Sequence, residues 1–125
     1  MKKTLAILTL GTIFFMHCDD TCICDPGPYF ADLKVKLTID DENPEVFLTV
    51  FAGNIEDKDT LIAEFVNEST VYYEMEAGRR YSATTHYTRG NRTYIAVDGR
   101  KMRISSDDCD CDYGESATLN LRLAD

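Results

Sequence analysis

Two Cys-x-Cys pairs are the residues of this 125-residue chain best suited to chemistry: Cys22-Ile23-Cys24 near the start and Cys109-Asp110-Cys111 near the end. Four thiolates can form a tetrahedral zinc site or two disulfides, and the one-residue spacing argues against zinc. A disulfide within one pair would close a strained ring, so we expect the two pairs to be joined to each other. Of the three connectivities, Cys22 with Cys111 and Cys24 with Cys109 would suit antiparallel segments.

The second cysteine pair lies in an acidic loop with a weak calcium-binding pattern. Asp108, Asp110 and Asp112 place carboxylates at every second position, as in a calcium loop. The pattern departs from such a loop because Gly114 comes one residue late and Leu119 stands where a bidentate glutamate is required. We therefore expect no metal and no other cofactor, and we keep calcium as the alternative.

Catalytic motifs are missing from the sequence. After residue 17 the one histidine is His86, in a segment of alternating residues that predicts a strand. The chain contains no G-x-S-x-G, no H-E-x-x-H and no glycine-rich phosphate loop, so no nucleophile and base can be paired from sequence. We expect a protein that is not an enzyme.

The amino-terminal segment is laid out as an export signal. Lys2-Lys3 precede an apolar run that is shorter than the about 20 residues of a membrane span, and Cys18 follows. This layout resembles the signal of a bacterial lipoprotein, in which the cysteine is lipidated and becomes the mature terminus. The resemblance implies a signal at 1–17 and anchoring of the mature chain in the cell envelope through Cys18. The segment 18–32, which is rich in Asp, Pro and Gly and has no periodicity, is expected to be a tether, and the alternating residues after it predict one domain at 33–125. We expect the outer membrane, periplasmic or surface-exposed, with an ordinary secretory signal as the alternative.

Export also affects the expected oxidation state of the remaining cysteines and the net charge of the mature domain. Assigning Cys18 to lipid leaves four cysteines, which in an oxidising compartment are expected to form two disulfides. The formal net charge of −9 becomes −11 when residues 1–17 are removed, because Lys2 and Lys3 are lost with no acidic residue. Nucleic acid is not expected as a partner of so acidic a domain, since binding it requires a basic patch.

Alternating apolar and polar residues predict an all-β fold. The segment 71–105 is interpreted as a four-stranded meander with turns at Ala77-Gly78, Arg89-Gly90-Asn91 and Asp98-Gly99. With the flanking segments this gives an antiparallel β-sandwich of seven to eight strands. The short strands and the aromatic row from Tyr81 to Tyr87 resemble transthyretin-like or carboxypeptidase-regulatory-like sandwiches. An immunoglobulin-like domain is the nearest alternative, although the chain has no tryptophan.

The alternation also predicts which side chains are buried and which are available for binding. The expected inward rows are Leu33/Val35/Leu37/Ile39, Val46/Leu48/Val50, Leu61/Ala63/Phe65, Val71/Tyr73/Met75, Tyr81/Ala83/Thr85/Tyr87, Thr93/Ile95/Val97, Met102/Ile104 and Leu119/Leu121/Leu123. Tyr72 and Tyr94 are expected to point outward, where they are candidates for ligand contact, with Tyr29 and Phe30 in the tether. Two functions follow: an accessory or structural lipoprotein with an envelope protein as its partner, or an adhesion or ligand-binding module for a glycan or protein.

Overall fold

The computed structural model describes residues 22–124, which form nine strands and one 3-10 turn at Ile55–Asp57. The strands are β1 (Phe30–Lys36), β2 (Val46–Ala52), β3 (Asp59–Val66), β4 (Thr70–Glu76), β5 (Arg80–Arg89), β6 (Arg92–Lys101), β7 (Ile104–Ser106), β8 (Asp112–Gly114) and β9 (Ala117–Asn120). The predicted signal at 1–17 and the predicted lipidation site Cys18 lie outside the described residues. Within 22–124 no helix is long and apolar enough to cross a membrane.

Seven of these strands form two sheets that face each other. One sheet has the order β4-β1-β9 and the other the order β3-β2-β5-β6, while β7 and β8 form a separate hairpin. The predicted all-β sandwich is confirmed. It is antiparallel except where β9 runs parallel to β1, and β1 begins at Phe30, inside the segment predicted to be tether.

The core of the three-stranded sheet is the row predicted from sequence. Leu33 and Val35 are fully buried, and they lie opposite Tyr73 and Val71 of β4. On the other side Val35 pairs with Leu119 of β9, so one apolar row crosses all three strands. These positions share a face because strand side chains alternate with period two.

The four-stranded sheet supplies the opposing row, in which tyrosines join the two layers. Leu48 and Val50 of β2 lie opposite Thr85 and Ala83 of β5, and all four are buried as predicted. Tyr87 is also buried; its hydroxyl donates to the carbonyl of Leu121 at 2.8 Å and accepts the backbone N–H of Thr38 at 2.9 Å. Burial raises the pKa of this phenol. The polar end of the ring therefore replaces the water that these backbone groups would otherwise require.

The predicted four-stranded meander is wrong, since its first strand belongs to the other sheet. β4 pairs with β1, whereas β5 pairs with β2 and β6. Residues 77–79 carry the chain from one sheet to the other, held by hydrogen bonds from Ala77 N–H to Tyr29 and from Gly78 N–H to Met102. Only the β5–β6 hairpin around Gly90 is formed as predicted.

The predicted hairpin turn at Asp98-Gly99 is also wrong, because β6 continues through it to Lys101. Gly99 lies opposite Ser82 of β5, and a Cβ at this glycine would be 2.7 Å from the Arg80 Nη2 and 2.8 Å from the Ser82 Oγ. The close approach of the arginine and serine side chains therefore explains the glycine. The Asp98 carboxylate accepts the backbone N–H of Asn120 at 2.8 Å, which ties β6 to β9.

Candidate interaction surface

The outer side of the four-stranded sheet carries an exposed apolar surface that the sequence analysis did not predict. Register places Phe65 of β3 beside Phe47 of β2, then His86 of β5 and Ile95 of β6 in one row across the sheet. The neighbouring row consists of Ala63, Thr49, Thr84 and Val97. We call these eight positions the apolar face, and none of them is Asp, Glu, Lys or Arg.

The large side chains of the apolar face are open to solvent. Phe65 is 65% exposed, Ile95 63%, Val97 58% and Phe47 44%, and Leu61 of β3 is also exposed. The two phenylalanine rings form an edge-to-face pair with centroids 4.9 Å apart, so they constitute one continuous element of the surface. Contiguous apolar patches of this kind are characteristic of interaction sites.

The predicted burial of Leu61/Ala63/Phe65 and of Thr93/Ile95/Val97 is therefore wrong. In both edge strands the opposite set of residues faces the core: Ile62 and Val66 in β3, and Ala96 in β6. The error has one physical cause. Both faces of β3 carry apolar side chains, and β6 places its small Ala96 inside, so alternation alone did not distinguish the inner face from the outer face. Ile104, predicted to point inward with Met102, is likewise exposed, whereas Met102 is buried.

The outer side of the other sheet has the opposite character. Lys34 and Lys36 of β1 alternate with its buried row, and Glu74 and Glu76 of β4 lie on the same outer side together with Tyr72. The Lys34 Nζ is 5.9 Å from the centroid of the Tyr72 ring, a cation–π arrangement. The three-stranded sheet thus exposes a charged surface to solvent, whereas the four-stranded sheet exposes the uncharged apolar face.

The predicted contact residues Tyr72 and Tyr94 do not come together. Tyr72 is exposed on the outer side of β4 as predicted. The predicted outward orientation of Tyr94 is wrong, because Tyr94 lies on the same side of β6 as Ala96, opposite the buried Tyr87, although it is partly exposed at the edge of the sheet. Tyr29 is half-buried and donates to the carbonyl of Asp25, and Phe30 is exposed at the start of β1. The four aromatic residues are therefore scattered singly and form no platform.

Two disulfides join the two cysteine pairs, as the sequence predicts, but with another connectivity. Cys22 is bonded to Cys109 and Cys24 to Cys111, with Cα–Cα distances of 5.8 and 5.1 Å. The predicted pairing of Cys22 with Cys111 is wrong because the two segments lie side by side in the same direction. The first cysteine of one pair is therefore bonded to the first cysteine of the other pair, and the second to the second.

Hydrogen bonds to its own aspartate side chains hold the acidic loop around these disulfides. Asp107 Oδ1 accepts the N–H groups of Cys109 and Cys111 at 2.9 and 3.0 Å, and Asp112 Oδ1 accepts the Ser106 hydroxyl at 2.8 Å. Among residues 22–124 no group of three or more His, Cys, Asp or Glu is arranged to hold a metal ion. The calcium alternative at Asp108, Asp110 and Asp112 thus has no support from this geometry.

At the opposite end of the sandwich a polar network fixes the loop between β1 and β2. Buried Asn43 exchanges two hydrogen bonds with the backbone of Thr88, and Asp40 forms an ion pair with Arg89 at 3.0 Å. The backbone N–H of Asn43, donated to the carboxylate, and the Arg89 charge hold the pKa of Asp40 below its usual value. This network stands beside a groove of about 360 Å³ that includes Glu45, Phe47 and His86 at the margin of the apolar face.

Comparison of the chain with protein-family models, with curated proteins and with solved structures gave no match.

Proposed function

We propose that this protein is a non-catalytic accessory domain, exported and held at the membrane of the bacterial cell envelope by a lipid on Cys18. The observation that carries the proposal is the pair of disulfides that fastens residues 22 and 24 to the loop at 109–111. Disulfides persist in oxidising compartments, so they support export. The lipoprotein-like signal supplies the means of export and of anchoring.

The position of the disulfides supports one orientation of the domain relative to the membrane. Phe30 at the start of β1 pairs with Glu76, and Arg80 pairs with Lys101, so these strand ends lie at the end of the sandwich where the disulfide-linked chain enters. Four residue steps separate Cys18 from Cys22, a reach of about 14 Å when fully extended. The domain would then stand close to the headgroups, with the Asp40–Asn43 loop and the Gly90 turn on its far side.

Contact with another protein is the activity that the surface supports best. The apolar face provides a large uncharged area, whereas its polar groups are limited to threonines and one histidine. A glycan site requires many hydrogen-bonding groups and stacked aromatic rings, and the exposed tyrosines are scattered. Of the two forms of the adhesion alternative, the surface therefore favours protein binding over glycan binding.

The test is the cellular fate of a Cys18→Ser variant of the full chain. We expect the wild type to incorporate an alkyne-labelled fatty acid and to fractionate with membranes, and the variant to lose both properties. A matched control replaces Cys22 and Cys109 together by serine, which removes one disulfide and keeps Cys18. This control should retain label and membrane association. Unlabelled wild type, or a Cys18→Ser variant that remains in the membrane fraction, would contradict lipid anchoring.

A further inference from the structure

The sandwich is closed along one side and open along the other. On the closed side β9 lies beside β6, where the Asp98 carboxylate accepts the backbone N–H of Asn120. On the open side β3 and β4 are the end strands of their sheets. A groove of about 460 Å³ lies between these two strands, and its lining includes Phe65, Val71 and Tyr72. This opening leaves two strand edges to which a further strand could be added.

The edge of β4 is regular, whereas that of β3 is not. The register of β3 against β2 shifts at Leu61, and Glu64 lies on the inner side of β3, where it accepts the Tyr73 hydroxyl. Bulges and inward-pointing charges both hinder the addition of a strand. β4 keeps one register with β1 over its whole length and contains no proline, lysine or arginine. β4 therefore lacks the bulge, the proline and the inward charge that protect other edge strands.

The backbone groups of every second residue of β4 point off this edge. Ser69 and Ala77, the residues that flank β4, are hydrogen-bonded to Leu37 and Tyr29, the residues that flank β1. Hydrogen-bonded pairs alternate along an antiparallel ladder, so the odd-numbered residues of β4 also bond β1. The residues whose backbone N–H and C=O groups point away from β1 are then Thr70, Tyr72 and Glu74. Among residues 22–124 these groups have no hydrogen-bond partner, so the edge is ready to pair.

The charge beside this edge is acidic toward the end of β4. On the outer side Lys34 lies opposite Tyr72. Glu74, further along β4, lies opposite Asp32, and in the described part of the chain neither carboxylate forms an ion pair. Like charges directly opposite each other destabilise a sheet. Glu68 also lines the groove, whose lining includes no Lys or Arg. A strand added to β4 would therefore be stabilised by a cationic side chain beside Glu74.

We propose that β4 binds an extended segment of another protein as an added antiparallel strand, with lysine or arginine beside Glu74 and apolar side chains over the groove. In this mode of binding main-chain hydrogen bonds supply the affinity, and alternate side chains supply the specificity. Antiparallel pairing is the more stable per residue. The formal net charge of −9 also favours a cationic segment.

A second copy of this chain does not fit the same edge. Pairing β4 with the β4 of a second copy in parallel and in register would set identical carboxylates side by side. Antiparallel pairing would put the disulfide ends at opposite ends of the dimer, whereas the proposed function holds both at one membrane. Only this last exclusion rests on the proposed function.

The first test measures binding of a short fluorescent peptide that alternates lysine with valine. The protein is purified in mild detergent from the cells that make it, with its disulfides intact, and anisotropy reports binding. In the added strand the lysines face outward and their N–H groups point to β4. N-methylation of the lysines should therefore weaken binding at least about tenfold, whereas N-methylation of the valines should change it less than about threefold. No binding, or equal effects of the two methylations, would overturn the proposal.

Amide exchange with the same peptide identifies the strand that it pairs with. The protection factors of the Thr70, Tyr72 and Glu74 amides should rise when the peptide binds, and that of Tyr73, which already bonds β1, should not change. Protection of the three amides without peptide would show that the edge is already paired, by a second copy or by another segment of the chain. That result, or protection of β3 or β6 by the peptide instead, would contradict the proposal.

Two matched pairs of variants separate strand addition from a general attraction to cations. Tyr72→Pro removes an N–H that points off the edge, a place where an edge strand tolerates proline, and should abolish peptide binding. Tyr72→Ala loses the same phenol and should retain binding. Glu74→Lys should weaken binding roughly fivefold, whereas Glu56→Lys, with the same change of charge on the 3-10 turn, should weaken it less than about twofold.

Urea unfolding checks that each variant is folded, and the two pairs test the proposal independently. Equal binding of the two variants within either folded pair would overturn it. None of these measurements depends on Cys18, so a failure of strand addition and a failure of lipid anchoring are separate results.

Discussion

Replacement of Tyr87 by phenylalanine tests the claim that tyrosine hydroxyls join the two sheets. The ring is 1% exposed, and the substitution keeps its apolar contacts while removing the hydroxyl. Two backbone groups, the Thr38 N–H and the Leu121 carbonyl, then lose their partner. A hydrogen bond contributes about 0.5–1.5 kcal/mol net, and an unsatisfied buried group costs about 1–3 kcal/mol. We expect a loss of about 1.5–3 kcal/mol in the free energy of unfolding.

Two other tyrosines calibrate this measurement. Tyr81 is also buried, and its hydroxyl donates to the Glu76 carbonyl at 2.6 Å, so Tyr81→Phe should cost about 0.5–1.5 kcal/mol. Tyr72 is 59% exposed, and Tyr72→Phe should change stability by less than about 0.5 kcal/mol. Urea unfolding with the disulfides intact measures all three, and the slope against urea should not change. A loss for Tyr87→Phe no greater than that for Tyr72→Phe would refute the bridging role.

Three further predictions concern the core, the acidic limit of stability and the disulfides. Leu121→Ala should lower the free energy of unfolding by about 2–5 kcal/mol, because this side chain is fully buried. Ile95→Ala in the dilute protein should lower it far less, because Ile95 is exposed. Equal losses of the two variants in urea unfolding would place both side chains in the core. The pKa of Asp40 is lower in the folded state, so its stabilising contribution is complete above the unfolded value near 3.8 and is lost as pH falls through the folded value. The protection factor of the Asn43 amide, which is the intrinsic exchange rate divided by the observed rate, should therefore fall in acid, because its N–H donates to the Asp40 carboxylate. Asp40→Asn should remove this pH dependence, and an unchanged profile would show that the carboxylate does not hold the loop. Partial reduction, alkylation and peptide mapping should find Cys22 with Cys109 and Cys24 with Cys111, and the crossed pairing would contradict the observed path of these segments.

The parts of the fold that the sequence predicted are those where only one face of a strand is apolar. Leu33, Val35 and Leu37 alternate with charged or hydroxylated residues, and the row was assigned to the core correctly. The row from Tyr81 to Tyr87 was also correct, because its alternate positions are Ser82, Thr84 and His86. In these strands polarity alone distinguishes the inner side from the outer side.

The apolar face could not be predicted in the same way, because its side chains resemble those of a core. In β3 both Ile62 and Phe65 belong to apolar rows, so either side of the strand could face the core. The pairing of β3 with β2 determines which side does, and this pairing cannot be predicted from the residues of β3 alone. A signal was nevertheless present: Val46–Phe51 is apolar on both faces, as a strand covered on both sides would be. The Asp98-Gly99 error has a different origin, since a dipeptide typical of turns is used here for a cross-strand contact and a tertiary hydrogen bond.

The two edge strands of the four-stranded sheet favour contact of another protein with the apolar face over pairing of a further strand with either edge of that sheet. On β3 the charged Glu64 is on the inner side, opposite buried Leu48, where its carboxylate accepts a 2.6 Å hydrogen bond from Tyr73 of the other sheet. On β6 Asp98 accepts the backbone N–H of Asn120, which brings β9 alongside that edge. Inward-pointing charges and covered edges are the devices by which β-proteins prevent edge-to-edge pairing. Both edges of the four-stranded sheet are thus protected against a further strand, while Phe47, Phe65, Ile95 and Val97 remain exposed between them. The protein contact proposed for this sheet is therefore expected to use its exposed face and not one of its edges.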